Sequence, residues 1–147
     1  MAQHLADFLD RWDAEDVLIE APVFNRTLRY GGTLDVIAVL HKDGRVWLLD
    51  YTTGAVRAEK TLQVAGYAHC EFWIDELGEE HPLPGIDACG IVQVTLDGCE
   101  LVPLADVDRS WDLFRSLLPV QAWLYDEDRA FRAQEPSPLL QAPLVLA

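Results

Sequence analysis

Lysine is nearly missing from this sequence. Lys42 and Lys60 are the only two in 147 residues, and together with the arginines they make 11 basic residues against 25 Asp and Glu, a formal net charge of -14. A protein that holds a duplex by general attraction draws its affinity from basic residues that neutralise phosphates, and a field of this sign repels nucleic acid. Any nucleic-acid role therefore needs a local basic patch, bound metal ions or a partner that delivers the substrate. On charge alone the chain reads as a protein with a solvated acidic surface.

Cysteine is sparse as well. Cys70, Cys89 and Cys99 are odd in number and contain no CxxC pair, which argues against a disulfide framework and a standard zinc or iron–sulfur site and leaves buried, reduced thiols. The histidines, His4, His41, His69 and His81, have no ligand-type spacing and read as structural or surface residues. No segment approaches the ~20 apolar residues of a membrane span. The first ten residues lack the basic stretch and apolar run of a signal peptide, so a cytoplasmic protein with no membrane partner is expected. What the sequence has in plenty is apolar side chains, half of all residues, enough for the core of one domain without staples.

The pattern of those side chains gives an order of elements. Leu5, Phe8, Leu9 and Trp12 fall at i, i+3, i+4 and i+7, so residues 2–14 read as an amphipathic helix. Val17–Asn25 reads as a strand, and Leu28–His41 as a second whose run from Leu34 to Leu40 suits burial on both faces. Lys42-Asp43-Gly44 signals a hairpin turn into a third strand, Arg45–Tyr51. Residues 59–77 read as one helix with Leu62, Ala65, Gly66, His69, Phe72 and Trp73 on its packed side, and 78–85 as a loop. Cys89–Leu96 and Cys99–Pro103 form a second hairpin about Asp97-Gly98. A helix over 108–118, with Asp108 or Ser110 as cap, is expected to kink or break at Pro119 before Val120–Tyr125. The expected fold is therefore α/β, a mixed sheet flanked by helices in the order αβββαββα, with a single domain over 1–133 and a Pro-rich tail over 134–147.

Two acidic residues interrupt the apolar strands. Asp35 lies within the Leu, Val, Ile and Ala of the second strand, and Asp50 ends the third. The short turn pairs these strands, so both carboxylates approach one end of the sheet. Burying two carboxylates side by side is costly, and a divalent cation with hard oxygen ligands removes the cost. Either acid alone also fits a solvated strand end. Glu20, in the preceding strand, is a third ligand or an outward-facing strand residue. Lys60, Gln63 and Tyr67 fall at i, i+3 and i+7 on one helix stripe, which faces the acids or simply solvent.

Taken in order, these residues resemble the PD-(D/E)XK nuclease superfamily, in particular its branch of RecB-like and Cas4-like DNA exonucleases and their phage relatives. Tyr30-Gly31-Gly32-Thr33-Leu34-Asp35 resembles that branch's Y-x-G-T-x-D, and Leu48-Leu49-Asp50-Tyr51-Thr52-Thr53-Gly54 its L-x-D-x-K-T-G. Leu62-Gln63-Val64-Ala65-Gly66-Tyr67 resembles its L-Q-x-x-x-Y helix, and Glu20 matches an acidic strand residue common in the branch. The resemblance covers residues 17–103 and implies a restriction-endonuclease-like fold. It also implies Mg²⁺ or Mn²⁺ held by Asp35, Asp50 and Glu20, with Gln63 and Tyr67 lining the active site. The iron–sulfur cysteines of the Cas4-like members are not carried.

The departure is Thr52, which stands where the family has its catalytic lysine. Of the two lysines present, Lys42 sits in the hairpin turn at the far end of the strands, whereas Lys60 lies one helical turn before Gln63. Lys60 is the expected replacement, with Arg57 its main competitor. The expected function is metal-dependent hydrolysis of DNA, exonuclease-like and weakened by the missing lysine, on DNA that is held through the metal or a local basic patch or is delivered by a protein partner. The rival readings are an inactive nuclease-fold binding module in a nucleic-acid-processing complex, and an acidic protein that imitates nucleic acid.

Overall fold

The computed structural model describes residues 1–133. The first helix, α1 (Ala2–Trp12), ends where Asp13 takes a left-handed conformation and returns its N–H to Asp10 and Leu9, a tight stop that throws the chain straight into a strand. Three long strands follow, β1 (Ala14–Asn25), β2 (Tyr30–Leu40) and β3 (Arg45–Thr52), then α2 (Ala58–Ala68). Next come the short strands β4 (Phe72–Ile74) and β5 (Glu80–Pro82), the hairpin β6 (Ala88–Val94) and β7 (Cys99–Pro103), and α3 (Val107–Ala133). The chain forms two compact units, Met1–Arg115 and a second that begins at Ser116. The expected Pro-rich tail, 134–147, lies outside the described residues.

Among the described residues seven strands join one mixed sheet in the order β5-β4-β1-β2-β3-β6-β7. Neighbours are antiparallel except β3 and β6, which run parallel because the chain crosses over through α2 between them. The sheet has an apolar core on each face. Val23, Leu34, Ile37, Leu48 and Ile91 pack with Val64 of α2 on one side, while Val36, Ala38, Trp47, Leu49 and Val92 pack with Phe8 of α1 on the other. Both faces being covered explains why β2 and β3 read as nearly continuous apolar runs. All three cysteines are buried and unpaired, and burial pushes the Cys70 and Cys89 thiols up to about 11, which makes them poor nucleophiles at neutral pH. Among the described residues, no helix is long and apolar enough to cross a membrane.

Three expectations are corrected. The helix expected over 59–77 stops at Ala68, and Phe72-Trp73-Ile74 is a strand instead. The aromatic side chains that fit a helical stripe are used in the sheet: Phe72 and Trp73 pair with Phe24 and Val23 of β1, and the Phe24 and Phe72 rings stack at 5.5 Å. Within the expected loop 78–85, Glu80–Pro82 returns as β5 alongside β4. Pro119 does not break the last helix; it lies inside α3. A proline there leaves the Arg115 carbonyl without its helical donor, and the loss is borne by a helix with good formers next to it, Leu117 and Leu118 before and Gln121, Ala122 and Leu124 after.

Candidate active site

The three acids lie on three adjacent strands at one level of the sheet. The pairs Ile19–Val36 and Ala21–Leu34 bracket Glu20 and Asp35, which places these two opposite each other. The last pair of the next ladder, Val36–Leu49, puts Asp35 opposite Asp50 in the same way. Strand periodicity slips at this level. Leu18 and Ala21 of β1, and Ile37 and Leu34 of β2, share the core on the α2 side, although residues an odd number apart in a regular strand face opposite ways. Glu20 takes a left-handed φ of 45° at the slip. Like charges set opposite each other across strands are destabilising, so this row of carboxylates needs compensation.

Some of it comes from the protein itself. The Tyr51 N–H donates to Asp35 Oδ2 at 2.8 Å, where a regular ladder would continue to the backbone of Leu34. Asp50 is only 3% exposed, and Lys60 Nζ donates to its Oδ2 at 2.7 Å. Burial pushes the Asp50 carboxyl above its ordinary range; the Lys60 ammonium pulls it back, and the neighbouring Asp35 charge pushes it up again. The hydrogen bond to Asp50 in turn raises Lys60. Lys42 stands in the β2–β3 turn, at the opposite end of β3 from Asp50.

The three stretches singled out in the sequence are in mutual contact. Tyr30 Oη donates to the Gly66 carbonyl at 2.7 Å, and a Cβ on Gly32 would stand 2.7 Å from the Tyr67 ring, so a glycine is needed for β2 and α2 to approach. Gln63 Nε2 donates to Tyr67 Oη at 2.9 Å, a contact in which the tyrosine hydroxyl accepts and does not use its own proton. Thr52 lies two residues beyond Asp50 on the same strand. It lines an open cleft of about 470 Å³ with Gly54, Arg57, Lys60 and Gln63.

The donor set suits a hard divalent cation: carboxylate oxygens from adjacent strands, one of them buried and still held above its ordinary range despite a lysine partner. Glu20 is exposed and does not close with Asp35 and Asp50 into a tight group of three. Among the described residues the group whose ligand atoms all lie within 4.8 Å of one another is Asp75, Glu79 and His81, at the tip of the β4–β5 hairpin. Nothing in the spacing of these three residues marks them in the sequence, where His81 reads as a structural or surface residue. Hydrogen bonds account for the geometry of Asp75 there: its Oδ1 accepts the N–H groups of Leu77 and Glu79, and its Oδ2 meets His81 Nε2 at 2.7 Å.

Asp50 has a consequence for stability. Its carboxyl is raised above the ordinary 3.8, so the native state retains a proton that the unfolded chain has released. Its contribution is complete below that ordinary value and is lost as pH rises through the raised one. Urea unfolding of metal-free protein from about pH 4 to 7 should show the wild type losing stability relative to Asp50→Asn as pH climbs. A constant difference between the two would contradict the assignment.

No protein-family model matches the chain, and no curated protein matches it.

Proposed function

We propose that this chain is a metal-dependent DNA nuclease with a restriction-endonuclease-like fold of the PD-(D/E)XK type. The observation that carries the reading is the Asp35–Asp50 pair, opposed across β2 and β3, with the Lys60 ammonium 2.7 Å from Asp50. In this reading Asp35 and Asp50, with Glu20 at the edge, hold Mg²⁺ or Mn²⁺. The ion, when bound, lowers the pKa of a coordinated water and polarises the scissile phosphate. Lys60 supplies the positive charge that Thr52 cannot, Tyr67 donates a hydrogen bond that positions water or phosphate oxygen, and Gln63 fixes the tyrosine hydroxyl. With a net charge of -14, DNA reaches the cleft through the metal and the local cations Lys60 and Arg57, or by delivery from a protein partner.

One observation favours a second reading. Lys60 already answers the charge of Asp50, and Thr52 brings no second cation; a nuclease fold in that state serves as a binding module. Incubation with linear single- and double-stranded DNA in Mn²⁺ separates the two. The expected result is cleavage that chelation stops and that Asp35→Ala and Asp50→Ala each lower by ~10² or more. Mn²⁺ binding without cleavage of either substrate would replace the nuclease by the binding module.

A further inference from the structure

We propose that Lys60 and the divalent cation are alternative occupants of Asp50, so that metal binding releases Lys60 into the cleft beside Thr52. The inference rests on the nuclease reading and adds to it a coupling between metal site and lysine. Asp50 is nearly enclosed, at 3% exposed, and one of its two oxygens is taken by the Lys60 ammonium at 2.7 Å. Asp35, the carboxylate opposite Asp50 on β2, has one oxygen on the Tyr51 N–H. A cation bridging the two acids therefore meets an ammonium already seated there, and two positive charges at one buried carboxylate repel each other.

Lys60 is the partner that can move. Its side chain is 33% exposed against 5% for that of Asp50, it stands in the first turn of α2, and it has four rotatable carbons behind the ammonium. It also has somewhere to go. It lines the open cleft with Thr52, Arg57 and Gln63. Moving there carries the ammonium towards residue 52, the place from which the resemblance implies a lysine should act. Without metal, Lys60 stabilises the buried acid; with metal, it is delivered to the substrate side. This exchange also explains how one lysine can serve where the site has lost another.

Two measurements test this, and only the second needs a variant. The first is the rate at which an amine-acylating reagent modifies Lys60, followed by mass spectrometry, with Lys42 as internal reference. Held on Asp50, Lys60 should react slowly; saturating Mg²⁺ should raise its rate severalfold in the wild type, with Lys42 unchanged. The second is calorimetric titration with Mn²⁺, in which Lys60→Met should bind about tenfold more tightly than the wild type, a coupling of ordinary size between linked ligands. Binding of metal with unaltered Lys60 reactivity would overturn the exchange and leave the nuclease reading standing. Absence of Mn²⁺ binding in both proteins would overturn both, and leave Lys60–Asp50 as a permanent structural bridge.

Discussion

Lysine at position 52 is expected to raise Mn²⁺-dependent DNA cleavage by ~10²–10³ over the natural chain, the usual worth of one well-placed electrostatic stabiliser. Residue 52 shares a strand face with Asp50 and lines the same cleft as Lys60 and Gln63, so the new ammonium emerges on the substrate side. Threonine makes one long contact there, as acceptor from the Gly54 N–H at 3.4 Å, so little is lost on replacing it. Thr52→Met is the control, because it adds comparable length without charge and should leave the rate where it was. If the lysine variant folds, binds Mn²⁺ and cleaves neither single- nor double-stranded DNA, more than a lysine is absent and the binding-module reading takes over.

The double variant Asp50→Asn, Lys60→Met is expected to lose activity by more than ~10² while its unfolding midpoint stays level or rises. Removing both members of a buried ion pair is often neutral or stabilising by ~1–4 kcal/mol, because neither charge then needs desolvating. Lys60→Met alone should instead cost ~1–3 kcal/mol, since it leaves the nearly enclosed Asp50 without a partner; the exposure of Lys60 keeps that figure towards the lower end. A pair kept for function gives this opposite movement of activity and stability. A double variant that is both inactive and strongly destabilised would mean that the pair serves the fold. Urea unfolding beside a cleavage assay gives both numbers.

Much of the sheet was legible because its signals are local. The runs in β2 and β3 and the turns at Lys42-Asp43-Gly44 and Asp97-Gly98 lie in consecutive residues, and Gly44 adopts the positive φ of 72° that its turn requires. The end of α2 was not legible. Phe72 and Trp73 continue the helical stripe of Leu62, Ala65 and His69, and only pairing with β1 takes them out of it. Pro119 misled for the opposite reason: the local penalty is real, but the surrounding helix formers carry the chain through it.

The candidate site divides along the same line. Asp35 and Asp50 stand out as charges within apolar strands, and the scarcity of lysine left Lys60 as the expected cation. The slip in strand periodicity at Glu20 and Asp35 leaves no mark in composition, since a left-handed glutamate looks like any other glutamate. Nor could spacing find Asp75, Glu79 and His81. Residues at i, i+4 and i+6 share neither a helix face throughout nor a strand pattern known to bind metal, and they meet only when the turn between β4 and β5 closes.

The most direct measurement is the anomalous difference density of a crystal soaked in Mn²⁺. The expected result is a peak between β2 and β3, ~2.1–2.2 Å from carboxylate oxygens of both Asp35 and Asp50, with the Lys60 ammonium moved off Asp50 towards Thr52. Density confined to Asp75, Glu79 and His81, with Lys60 still on Asp50, would contradict a catalytic metal at the paired aspartates.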